Sequence, residues 1–131
     1  MSSWAETVNN QQALSGYFTD ITGLDELDVH ELCLHHDGPV LWLRADLCRF
    51  PDKPSPRWAD GSNTAQVTIQ FVGVQQLRVS GWSTDVRGIL RVHPEAPHKL
   101  IVEFDAPTCS ASFKCLDLLV DKISGYIRGD N

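Results

Sequence analysis

Ala65-Gln66-Val67-Thr68-Ile69-Gln70-Phe71 alternates apolar and polar residues without a break. Successive side chains of an extended chain point to opposite faces. The stretch therefore reads as a half-buried strand, with Ala65, Val67, Ile69 and Phe71 inward and Gln66, Thr68 and Gln70 outward. The same period runs upstream through Leu41, Leu43, Ala45 and Leu47, interleaved with Trp42, Arg44 and Asp46. Asp37-Gly38 ahead of it is a turn signal, and Pro39 begins the return strand. Before that turn, Leu27 and Val29 share one parity while Leu32 and Leu34 share the other. The phase switch near His30-Glu31 marks a bulge, or a strand that changes the side it buries.

Downstream, Gly73 allows a break, and Leu77 and Val79 continue on a second strand ending at Gly81-Trp82. Ile89–Val92 and Leu100–Phe104 flank a Pro94–Pro97 turn as another hairpin. Phe113 to Ile127 is apolar and extended, with Gly125 read as a kink and Tyr126 as a final anchor. Phe50–Pro56 holds three prolines and must be a loop, with Trp58 tucked back onto the core. At the N-terminus Ser3 and Glu6 suit a capping box for a short helix, with Trp4 and Val8 on one face. Asn9–Gln12 is weak helix material and Gly16 a stop. The expected fold is mainly β: about seven or eight antiparallel strands as a curved sheet or sandwich, with a short N-terminal helix. Residues 1–131 are expected to form one domain.

The chain is 42% hydrophobic and 21% charged, too apolar for a disordered protein and too charged for a membrane one. Its net charge of −6 argues against nucleic acid as a direct partner. With neither a cationic start followed by an apolar run nor a spanning segment, a cytoplasmic protein without a membrane partner is expected. The imbalance is uneven: residues 1–65 hold ten acids and four bases, whereas residues 66–131 hold seven of each. No Lys or Arg precedes Arg44.

Little of the sequence reads as catalytic or cofactor-binding. The four cysteines have none of the close spacings that hold zinc. If Asp37-Gly38 is the hairpin turn, Cys33 faces Trp42 and Cys48 faces Leu27, so those two thiols lie about 20 Å apart, beyond disulfide reach. Four reduced thiols are expected. His35 and His36 point to opposite faces of a strand, and with Asp37 make a sparse ligand set, so no metal and no cofactor is expected. His93 and His98 read as a solvated hairpin end. No nucleophile elbow or phosphate-cradling loop is present, so no enzyme is expected. A hydrolase or isomerase would need His, Asp and Ser to converge in a deep pocket.

The acidic N-terminal third stands above background. Asp25, Glu26, Asp28, Glu31 and Asp37, with His35 and His36 at the tip, form a candidate partner-binding surface for a basic protein. Ordinary solvated strand faces are the alternative. The two faces of the strand could also split the set, with Asp28 on one side and Glu31 on the other. A second candidate is the loop Arg49–Trp58, locally basic through Arg49, Lys53 and Arg57. A reading of a different class is a small-ligand or carbohydrate-binding β domain, which requires at least two of Trp4, Trp42, Trp58 and Trp82 exposed on one concave face.

The order of certain residues resembles a known family. Trp4, Gly16-Tyr17-Phe18, Leu32, Gly38-Pro39 and Asp46-Leu47 are followed by Phe50-Pro51, Pro56-Arg57-Trp58, Gly81-Trp82, Phe113-Lys114-Cys115 and Gly125-Tyr126. Together these resemble the immunity protein 50 family of bacterial polymorphic toxin systems. The resemblance implies a small cytosolic protein, encoded beside a secreted toxin, that neutralises it by direct binding and occlusion. The implied partner is a cognate protein toxin whose identity the resemblance leaves open; the acidic surface suits a basic one, such as a nuclease. The shared positions are mostly aromatics, glycines and prolines, and none is a catalytic signature, so a role is implied but no active-site residue. Oligomeric state is left open.

Overall fold

The structure is a computed structural model that describes residues 2–95 and 97–129. Ala96, in the expected Pro94–Pro97 turn, lies outside the described residues. The elements run β1 (Ser2–Ser3), α1 (Trp4–Thr7), α2 (Gln12–Ser15), β2 (Glu26–His35), β3 (Val40–Leu47), β4 (Thr64–Val72), β5 (Gln75–Ser80), β6 (Arg87–Glu95), β7 (Lys99–Asp105), β8 (Ser110–Cys115) and β9 (Asp117–Tyr126). The fold is mainly β. One antiparallel sheet takes the order β5-β8-β7-β6-β2-β3-β4-β9, with β1 paired to β6. Between the curved sheet and the sandwich, the molecule is a single curled sheet. No described helix is long and apolar enough to cross a membrane.

The curl has a local cause. Only Gly73-Val74 separates β4 from β5, and only Leu116 separates β8 from β9. The β4·β9 and β5·β8 ladders are therefore successive parts of one antiparallel ribbon that bends at this corner. Gly73 adopts φ of +71°, and a Cβ there would lie 2.7 Å from the Leu116 side chain, so the corner requires glycine on both counts. The Pro39 carbonyl accepts the Gly73 and Val74 amides at 3.0 and 3.1 Å, fastening the β2–β3 turn to the bend.

The alternation from Ala65 to Phe71 holds, all four apolar residues being buried. So does the bulge: the β2–β3 register shifts between Val29 and Glu31. That shift corrects the expected pairing of Cys48. Cys33 does face Trp42, but the extra residue places Leu47 opposite Leu27. All four cysteines are free thiols. Val79 lies on β5 as expected and is nonetheless 45% exposed, because β5 is an edge strand with a register shift between Gln75 and Arg78.

One helix was expected before the sheet and two short ones are found. The Ser3 hydroxyl accepts the Ala5 amide and so caps α1. Gln11 then donates to the Ala5 and Val8 carbonyls and closes it. Trp4, Val8, Leu14 and Phe18 plug one end of the core, and the Trp4 indole donates to the Leu24 carbonyl at 2.7 Å. Asn9 and Asn10 lie along β9: the Asn9 amide reaches the Leu118 carbonyl, and the Asn10 side chain both donates to and accepts from Val120.

Gly125 is not a kink. It is paired with Ala65 inside β9, and its bare Cα is the floor on which Trp58 lies; a Cβ would come within 2.2 Å of the indole. Trp58 also stacks on Tyr17, with ring centroids 5.3 Å apart, and meets the edge of Phe50.

Candidate functional site: the outer face of the β2–β3 hairpin

The bulge decides which residues share the face turned away from the core. Before it, Leu27 and Val29 point inward, so Glu26 and Asp28 point outward. After it, Leu32 and Leu34 pair with the buried Leu43 and Leu41, which turns Glu31, Cys33 and His35 outward. His30, the extra residue, also faces outward, its Nε2 standing 2.8 Å from Asp46. Asp28 and Glu31, three positions apart and of opposite parity, thus lie on one face.

Glu26, Asp28, Glu31 and His35 share that face, and His36 and Asp37 continue it at the hairpin tip as a fully exposed pair 3.3 Å apart. The His35 ring sits edge-on to Trp42, centroids 4.2 Å apart. Asp25 is separate: it precedes the strand, its carbonyl accepts the Leu90 amide, and one carboxylate oxygen is buried.

These acids are not all free. Arg44 Nε donates to Glu31 at 3.0 Å. Arg87 and Arg128 stand 3.7 and 2.7 Å from Asp28. Arg128 simultaneously holds Asp46 at 2.7 Å. Asp46 is the centre of the arrangement and is only 2% exposed. It accepts hydrogen bonds from Tyr126 Oη at 2.5 Å and from Gln66 Nε2 at 3.2 Å. Burial raises the Asp46 pKa, but the hydrogen bonds from Tyr126, His30 and Gln66 and the charge of His30 outweigh it and hold the carboxyl below its ordinary range. Burial, reinforced by the hydrogen bond to Asp46 and by its charge, pushes the Tyr126 phenol up to about 12.

Donor atoms of Asp28, His30 and Asp46 lie within 4.8 Å of one another, a spacing that suits a cation. The Arg128 guanidinium takes that role, with one nitrogen 2.7 Å from each carboxylate. The sequence does not single out His30, Asp46, Gln66, Tyr126 or Arg128 as site residues. Outward parity marks Asp46 as solvated, and nothing local shows that Arg128 returns to it. The one signal was that Asp46 and Tyr126, which hydrogen-bond each other, are both positions of the family pattern.

The basic loop Arg49–Trp58 uses two of its three cations internally. Arg49 donates to the Asp20 carbonyl and lies over the Phe18 ring, and Lys53 Nζ donates to the Ser15 carbonyl at 2.7 Å. The tryptophans form no shared platform. Trp4 is fully buried, Trp42 and Trp58 are partly buried, and Trp82 is the exposed one, at 50%.

The family comparison is specific: the family model described as Immunity protein 50 matches residues 10–126, and the chain belongs to that family. Immunity proteins of this family are not enzymes, and membership implies neutralisation of a cognate toxin. No curated protein and no solved structure gives a significant match.

Proposed function

We propose that the chain neutralises its cognate toxin by covering the toxin's active surface, and that it docks through the outer face of β2 and the hairpin tip. The observation that supports this reading is the bulge, which gathers Glu26, Asp28, Glu31 and His35 on one side and leads to His36 and Asp37. Ion pairing with Arg44, Arg87 and Arg128 rigidifies Asp28 and Glu31, so docking them loses little side-chain entropy. Glu26 and Asp37 are the acids of this set without an Arg or Lys partner among the described residues, and they carry the steering charge. The partner is a toxin with a basic surface, a nuclease being one such kind, and the meeting takes place in the cytoplasm.

The test uses the toxin domain encoded beside the chain as the probe. Association is measured by stopped flow across a range of salt for the wild type and for Glu26→Lys with Asp37→Lys. The double variant is expected to associate about tenfold more slowly at low ionic strength and to lose most of the salt dependence, because steering acts on encounter rather than on the docked state. Unchanged rates at every salt concentration would remove this face.

A further inference from the structure

Sheet edges are adhesive, and this molecule covers parts of its own. Ser2–Ser3 pairs with β6 at Val92 and Arg91. Asn9 and Asn10 satisfy β9 at Leu118 and Val120. Of the stretches left bare, which include the edge strand β5, one lies within β2. β6 pairs with β2 only at Glu26, Leu27 and Asp28, with flanking bonds to the Asp25 carbonyl and from the Val29 amide. From His30 to His35, β2 has β3 on one side and no partner on the other among the described residues. That free edge is about 17 Å long, enough for a partner strand of ordinary length.

The bulge also fixes what the bare edge offers. Asp25 and Val29 turn their backbone groups toward β6. Backbone direction and side-chain direction alternate together, so after the one-residue shift it is Leu32 and Leu34 whose N–H and C=O groups face the open side. The same two residues carry apolar side chains, and Leu34 is 59% exposed. Leu32 lines a narrow slot with Leu41, Leu43, Leu77, Phe113 and Trp82, all apolar. Leu34, Trp82 and Val79 of the edge strand β5 are three of the exposed large hydrophobic residues. The fully exposed Asp37 gives the tip of the hairpin an acidic rim.

We propose that an extended segment of the toxin adds to β2 as an extra strand along His30–His35. Its backbone pairs with Leu32 and Leu34, its inward side chains are apolar and lie across the mouth of the slot beside Trp82, and its outward side chain nearest the tip is basic and meets Asp37. This rests on the toxin-binding reading above and supplies its docking mode. Main-chain pairing provides affinity at a bare edge, while the slot and the acidic rim select the alternation of the incoming strand.

The test is hydrogen–deuterium exchange of the whole chain alone and bound to the toxin domain encoded beside it. Slowed exchange at the Leu32 and Leu34 amides in the complex is expected. Leu34→Pro removes the outward-facing N–H without removing a β2–β3 ladder bond and should weaken the complex by about tenfold or more. Leu34→Ala, which keeps the N–H, should have a smaller effect. Circular dichroism and the melting temperature show whether each variant folds; the wild-type exchange measurement decides the matter if Leu34→Pro does not. Failure of the toxin domain to bind the wild type would overturn the proposed function itself. A complex with unprotected Leu32 and Leu34 amides would overturn the strand addition alone. A concentration-dependent dimer that protects these amides without toxin would assign the edge to a second copy and likewise overturn it.

Discussion

Asp46→Ala tests whether the outer-face network is a structural unit. The carboxylate is 2% exposed and accepts from Tyr126, Gln66, His30 and Arg128. Removing it leaves the Tyr126 hydroxyl and the Gln66 amide without their acceptor and leaves Arg128 beside Asp28 alone. Arg128 is 40% exposed and keeps Asp28, so the loss is that of a buried hydrogen-bond acceptor, about 1–3 kcal/mol. At about 4 °C per kcal/mol for a domain of this size, the melting temperature should fall by roughly 4–12 °C in a calorimetric or circular-dichroism melt at neutral pH. Asp46→Asn keeps the shape and one acceptor oxygen, and should lose about half as much. In an Arg128→Ala background the further loss on Asp46→Ala should shrink, because part of the interaction is already gone. The folded Asp46 carboxyl is held below its ordinary 3.8, so its contribution is fully present above that value and is lost as pH falls through the lower folded one. Asp46→Ala should therefore flatten the fall in stability below pH 4. A melting temperature within about 3 °C of wild type would refute the reasoning and reduce the network to a surface decoration.

Gly125→Ala should displace Trp58, since the added Cβ would sit 2.2 Å from the indole; the overpacking is expected to destabilise by about 1–3 kcal/mol. The readout is tryptophan fluorescence, which should report a more solvated indole, and an unchanged spectrum would count against the packing described. Tyr126 provides a second pH test by ultraviolet difference titration of its phenol, with a midpoint near 12 expected. Because the folded value is raised, the stabilisation is complete below the ordinary 10.0 and lost as pH rises toward 12, and a midpoint at 10 would refute it.

The sheet was legible because inward positions alternate wherever a strand has one buried face, as at Ala65–Phe71 and Leu41–Leu47. Even the bulge left a trace, as a change of apolar parity between Val29 and Leu32. The site was less legible because its organising contacts are long-range. Arg128 reaches Asp46 across 82 residues, from a tail with no periodicity of its own. Asn9 and Asn10, read as poor helix formers, are poor for a reason that propensity does not express: they serve as the strand partner of β9. Gly125 looked like a break because a strand glycine usually marks a bend or a close approach, and the sequence alone does not say which.

Charge along the chain and charge in space are different quantities here. Ten of the seventeen acids fall in the first 65 residues, which by itself pictures one acidic half facing a basic partner. Folding moves cations into that half: Arg87 and Arg128, both from the neutral second half, close on Asp28, and Arg128 also reaches Asp46. Arg44 covers Glu31. The middle of the β2 outer face is thereby a neutralised, rigid platform rather than an anionic field. In the proposed docking mode the steering role passes to its two ends, Glu26 at the start of β2 and Asp37 at the tip, while the apolar edge between them would hold the docked strand. That division explains why charge reversal should be made at Glu26 and Asp37. Reversal at Asp28 would break the Arg128 bridge, and any loss of binding would then report the collapse of the platform rather than its electrostatics.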